Sequence, residues 1–221
     1  MAGEPPAVPA ANLPDGLRLG IPQTVMLDDL EASVAAAFEQ AVSALARAGA
    51  RIVELPLEML DDSAKINIKG GLPVAEAFAW HEKLIERRGE DYDPRIRTRI
   101  ARGRDMTAAE YIRLVGARAD FIRRFDAETE TFNALVMPTV PMTASPIAAF
   151  ARDEDYARLN LKLLRNTSII NFLDRCALTL PIEPLGSAPV GLMVVARQSK
   201  DRRLLAIGRG IETALEPVRH D

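Results

Sequence analysis

The side chains best placed for specific chemistry lie between Arg165 and Ala196. Asn166, Thr167, Asn171 and Asp174 interrupt an otherwise apolar segment that reads as a helix. Positions 167, 171 and 174 stand at i, i+4 and i+7, which puts three polar groups on one helical face. That face has to be wet or hydrogen-bonded, so it offers binding rather than bond-making. The nucleophiles in the chain lack the neighbours that would activate them. Cys176 opens an apolar strand with no histidine near it in sequence and reads as a buried packing cysteine. Ser168 and Lys162, six residues apart on one helix, do not make a Ser–Lys dyad. His81 beside Trp80 reads as a half-buried pair on a helix. A single cysteine excludes an internal disulfide and a cysteine-based zinc cluster, and two histidines, His81 and His220, make a multi-histidine metal site untenable. No metal and no cofactor is expected.

The elements that would position these groups can be read in order. The 221 residues are 48% hydrophobic and 27% charged, an ordinary globular composition that suits one large or two small domains. A net charge of −3 gives no electrostatic case for a nucleic acid or an anionic membrane. No apolar run reaches spanning length and no basic, then apolar, start suggests secretion, so the default expectation is a cytoplasmic protein. Residues 1–14 are rich in Pro and Ala and read as a linker-like leader. The segment 17–22 is a short strand. Asp28 or Asp29 caps the next helix, whose apolar positions Leu30, Val34, Phe38, Ala41 and Leu45 run to Gly49. A second strand at 50–57 completes a βαβ unit, which should be parallel and right-handed.

Residues 58–105 predict two or three helices broken at Gly70, Gly71, Pro73, Gly89 and Pro94. Their arginines interleave with Glu86, Glu90, Asp91, Asp93 and Asp105, which reads as a solvated, ion-paired surface and not a phosphate-binding patch. Thr107-Ala-Ala-Glu110 is a capping box. The stripe Tyr111, Leu114, Val115, Phe121, Ile122 and Phe125 carries its helix to about 130. The strand 134–141 ends in Pro-Thr-Val-Pro, a loop at a strand's carboxyl end, where ligands collect in open α/β sheets. A helix over about 156–174, the strands Cys-Ala-Leu-Thr-Leu-Pro181 and Gly-Leu-Met-Val-Val-Ala196, and a helix opening at Asp201 follow. The expected fold is α/β: a mixed sheet of about five strands with helices on both faces.

Taken in order, these pieces resemble the carboxyl-terminal half of an amidase signature family enzyme. The resemblance is carried by the 17–22 and 49–57 strands, by Tyr92 with Arg99-Ile-Ala-Arg-Gly103, and by Met137-Pro-Thr-Val-Pro141. It continues through Arg165-Asn-Thr, Asn171-Phe-Leu-Asp174, Cys176 to Pro181, Ala188-Pro-Val-Gly-Leu-Met193 and Asp201 with Leu204-Leu205. It covers 15–216, with 217–221 as a tail, and implies a partial amidase-signature fold. That family hydrolyses or transfers carboxylic amides with a serine nucleophile, a second serine that relays the proton, and a lysine base. The serines sit in and near a Gly-Gly-Ser-Ser-Gly-Gly loop that precedes the region matched here. No such loop is present: Gly70-Gly71 is followed by Leu72, and no two serines are adjacent. The resemblance therefore assigns no catalytic residue to this chain.

By the same carry-over Arg99 matches an arginine that holds a substrate carboxylate in the amidotransferase branch, and Thr139, Asn171 and Asp174 are pocket-edge positions. Each has a structural reading beside it: Arg99 as a helix-surface arginine, Thr139 as a support of loop backbone, Asn171 and Asp174 as pins between a helix end and a strand. Where that branch carries an acidic residue for the substrate ammonium, this chain has Leu163, Leu164 and Arg165, which points to a general amidase. The expected partners are a small-molecule amide, if the chain is complemented, and an amino-terminal amidase half or a second copy covering an open sheet edge. The competing expectation is an inactive stand-alone remnant that acts as a binding module.

Overall fold

The computed structural model describes residues 16–183 and 186–220; the leader at 1–14 lies outside the described residues. The chain forms two compact units. One runs to Leu60 and resumes at Asp126, and the other is Asp61–Phe125.

The first unit holds the sheet. Its strands are β1 (Arg18–Pro22), β2 (Arg51–Leu55), β3 (Ala134–Pro138), β4 (Cys176–Pro181) and β5 (Gly191–Ala196), in the order β2-β1-β3-β5-β4. β1 is parallel to β2 and β3, whereas β5 is antiparallel to both β3 and β4, so the sheet is mixed as expected. The crossover between β1 and β2 is α1 (Ala32–Arg47), whose Val34, Ala37, Phe38, Ala41, Ala44 and Leu45 repeat at helical spacing and are buried. α1 stops because Gly49, at φ 96, takes the left-handed turn that lets Ala50 N–H reach the Leu45 carbonyl. Its start differs from expectation. Neither Asp28 nor Asp29 caps it; Glu31 is the N-cap residue, and Asp29 sits at φ 45 with its carboxylate 2.6 Å from Lys162 Nζ.

A single core joins α1 to the final helix, α7 (Asp201–His220), across one face of the sheet. Leu19, Ile21, Ala134, Val136, Leu192 and Val194 meet Phe38, Leu45, Leu204, Ile207 and Ile211 there. Leu135, Met137, Met193 and Val195 point the other way by the two-residue strand period and are buried as well. α6 (Asp153–Phe172) buries Leu159, Asn166, Ile169, Ile170 and Phe172. β2 and β4 are the edge strands.

The second unit is helical. α2 (Asp62–Ile66) is a short turn, α3 is Gly71–Arg88, and α4 is Pro94–Ala101, capped by Asp93, which accepts from the N–H groups of Arg95 and Ile96. Pro73 does not break α3, because it lies in the first turn, where no intrahelical N–H is required. α5 (Ala108–Thr129) opens with the expected capping box: Thr107 N–H donates to Glu110 Oε2 at 3.0 Å, and Glu110 N–H to Thr107 Oγ1 at 3.3 Å. Leu114, Phe121 and Phe125 are its buried side, while Val115 is exposed, so the stripe is narrower than the sequence implies. His81 Nδ1 and the Tyr92 hydroxyl lie 2.7 Å apart, but Trp80 is 84% exposed and not half-buried. Among the described residues no helix is long and apolar enough to cross a membrane.

Lys69, 2.7 Å from Glu110, together with the Thr107 N–H and hydroxyl, pulls the Glu110 carboxyl down from 4.5 to about 2. A depressed native value adds stability that is complete above pH 4.5 and is lost as pH falls through about 2. Glu110→Gln should therefore lower the urea midpoint at pH 7, with the gap to wild type closing towards pH 2. A gap independent of pH would contradict this assignment.

Candidate functional site

The chain passes from β1 to β2 on one side of β1 and returns as β3 on the other, so the direction of strand order reverses between β1 and β3. Beyond the carboxyl ends of parallel strands at such a point an open sheet leaves a crevice, the usual place for a ligand. Those ends are Pro22 and Pro138, and the loops 23–31 and 139–143 extend from them.

Asn166 joins the two loops. Its side chain is fully buried (0% exposed) on the core-facing side of α6. Nδ2 donates to the Met26 carbonyl at 3.0 Å and to the Pro138 carbonyl at 2.8 Å, while Oδ1 accepts from Arg165 Nε at 3.0 Å. The Met26 carbonyl belongs to a tight turn in which Met26 N–H reaches Thr24 O at 2.7 Å around Val25, held at φ 64. A β-branched residue there is strained by about 1–3 kcal/mol and persists only where its surroundings hold it. Asn166, with Arg165 Nη2 at 3.4 Å from the same carbonyl, supplies that grip. The polar face read from sequence uses 167, 171 and 174, yet the consequential side chain is on the neighbouring, buried face. An asparagine among Leu159, Ile169 and Ile170 is the signal that marks it.

Glu31 fastens the second loop to α1. Its N–H donates to Pro141 O at 2.8 Å, and its carboxylate accepts from the Thr143 N–H at 2.9 Å and hydroxyl at 3.0 Å. These bonds hold the Glu31 carboxyl below the usual carboxylate range. Thr139, the first residue after β3, donates its N–H to Gly191 O at 2.8 Å, and its hydroxyl lies 3.1 Å from that of Thr179 on β4. Gly191 has to be glycine at this crossing, because a Cβ would come within 2.6 Å of Thr179 Cγ2 and 2.7 Å of Thr139 Oγ1. Nothing in the sequence singles out Thr179, since its pairing depends on strand order.

Asn171 and Asp174 stand at the end of α6, both exposed. Asp174 lies past the helix at φ 57, and its N–H and that of Arg175 return to the Asn171 and Ile170 carbonyls, a helix stop normally built on glycine. Its carboxylate accepts from Gln198 Nε2 at 2.7 Å. Thr139 and Asn166 are thus brought to the β3 end, Asn171 and Asp174 to the α6 terminus, and Arg99 is an exposed residue of α4 in the other unit.

The arrangement is equipped to bind. At the β3 end the hydroxyls of Thr139 and Thr179 can meet a polar ligand. Cys176 donates its thiol to the Arg197 carbonyl at 3.1 Å, and burial pushes its pKa up, the reverse of an activated nucleophile. Lys162 is committed to Asp29. Asn166→Ala removes the side-chain donor to the Pro138 carbonyl and leaves the Met26 carbonyl with Arg165 Nη2 at 3.4 Å, so it should cost about 2–3 kcal/mol in urea unfolding and open the 23–31 loop to proteolysis. Thr139→Ala removes one half-exposed hydroxyl and should cost less than ~1 kcal/mol. Equal losses for the two variants would contradict the role given to Asn166.

Comparison with known proteins identifies the family and the fold. The model of the Amidase family matches residues 3–205. A 2-amino-5-chloromuconic acid deaminase from Comamonas testosteroni is 35% identical over 94% of this chain and 45% of its own length. An indoleacetamide hydrolase from Agrobacterium vitis is 28% identical over 94% of this chain and 49% of its own. The chain thus spans about half the length of these relatives. Among solved structures, the S177A allophanate hydrolase of Kluyveromyces lactis superposes with a TM-score of 0.82 at 21% identity, covering 95% of this chain and 34% of that one. With its mixed five-stranded sheet and a family match over most of its length, this chain belongs to the amidase family.

Proposed function

We propose that residues 15–216 form the carboxyl-terminal part of an amidase that hydrolyses a carboxylic amide to an acid and ammonia or an amine. In this reading the chain supplies part of the substrate pocket, and the nucleophile comes from polypeptide outside it. The observation that carries the proposal is the family match over 3–205 in a chain whose serines include no adjacent pair.

The chemistry is acyl transfer. An activated hydroxyl attacks the amide carbonyl, the amine leaves, and water releases the acid. This chain's share is orientation. Thr139 lies at the pocket edge beyond β3, in a loop held by the Asn166 and Glu31 fastenings, whereas Asn171 and Asp174 belong to the α6 terminus towards the other end of the sheet, where Cys176 pairs with Ala196. By the family resemblance, and taken by itself in the helical unit, Arg99 is the candidate planar fork for a substrate carboxylate. The similarity to a deaminase named for an acid favours a substrate that carries such a group.

The test mixes this chain with the part of the Comamonas testosteroni relative that lies outside the match, and follows ammonia release from carboxylic amides with and without a second carboxylate. Turnover by the mixture and by neither part alone is expected. Arg99→Lys should raise KM about tenfold, or ~1.4 kcal/mol, for the carboxylate-bearing amides alone. A mixture that forms a complex and releases no ammonia would favour the other reading, a binding module without turnover.

A further inference from the structure

The exposed side of α6 differs from an ordinary solvated helix face. Ala157, Leu161, Leu164, Ser168 and Asn171 are exposed at alternating intervals of four and three, and Leu161 is 72% exposed. Asn160 and Thr167 flank them, so the face from 157 to 171 carries no charged side chain in a chain that is 27% charged. The basic residues of this stretch are drawn off it: Arg158 to Asp155, Lys162 to Asp29, Arg165 to Asn166 and the Met26 carbonyl. Ser168 and Asn171 make no side-chain hydrogen bond among the described residues, which leaves a hydroxyl and an amide open to a partner. Alternating three- and four-residue spacing is the seam of two helices packed at about 20°.

We propose that this face of α6 is the docking surface for the complementary part of an amidase fold, met through an uncharged, helical surface; this rests on the reading given above. The relatives' lengths argue for that occupant, because about half of each lies outside the match and has to pack against the rest. The asymmetry of the face argues against a second copy. Antiparallel self-pairing would set Ala157 and Leu161 against Asn171 and Ser168, leaving polar groups opposite apolar ones. Parallel pairing would bring two sets of Asp153, Glu154 and Asp155 side by side. A heterologous partner can match the apolar end with apolar groups and the polar end with hydrogen bonds.

The experiment titrates this chain with the part of the Comamonas testosteroni relative outside the match, by calorimetry, using wild type, Leu161→Glu and Leu205→Glu. Leu205 is an exposed leucine on α7 and serves as the surface control. Circular dichroism and thermal melts confirm that both variants keep the fold. A one-to-one complex weakened at least tenfold by Leu161→Glu and unchanged by Leu205→Glu is expected. No complex, equal effects of the two variants, or a dimer of the chain alone that Leu161→Glu dissociates would overturn the proposal. A complex sensitive to Leu161→Glu that releases no ammonia keeps the docking surface and removes the hydrolytic reading; turnover insensitive to that substitution does the reverse.

Discussion

A buried side-chain amide needs partners for both of its donors, and Asn166 finds them on two segments that the chain order keeps far apart. Met26 presents its carbonyl in the loop after β1, and Pro138 presents its own at the last residue of β3. One NH2 group serves both. The contact ties α6 to the point where the sheet reverses its order and holds the strained turn at Val25. Loop conformation, helix placement and the position of Thr139 all follow from it.

β3 is the pivot of the architecture. Its parallel bond with β1 brings two carboxyl ends together, and its antiparallel bond with β5 sets Gly191 against Thr139. Gly191 lets that crossing close to a distance no side chain would allow. From the other direction Glu31 locks the Pro-Thr-Val-Pro loop onto α1 with three hydrogen bonds at Thr143 and Pro141. The polar groups of this region are held rigidly by backbone and neighbours, the condition for orienting a substrate without doing chemistry on it.

Periodicity made the strands and long helices legible, because apolar side chains recur at two or at three and four residues whatever the tertiary partner. The capping box at Thr107 and the stop at Gly49 were equally local. What depended on distant segments was hidden. Asp28 and Asp29 have the right chemistry for a cap, but Lys162, far along the chain, claims Asp29, and Thr143 makes use of Glu31. Asn166 was visible as a polar residue; its partners Met26 and Pro138 were not. Asp174 was read as the last polar group on a helical face, and it is the left-handed residue that ends the helix. Thr179 carried no mark at all, since only strand order brings it to Thr139.

Central to the proposed reading is that this chain binds an amide without holding the group that attacks it. Intact-mass measurement after exposure of the chain, by itself, to a fluorophosphonate reagent tests this most directly, because the reagent marks activated hydroxyls and ignores ordinary ones. An unchanged mass is the expected result. A single adduct that maps to one serine or threonine of this chain would show that the nucleophile is here, and that the pocket and its chemistry belong to the same polypeptide.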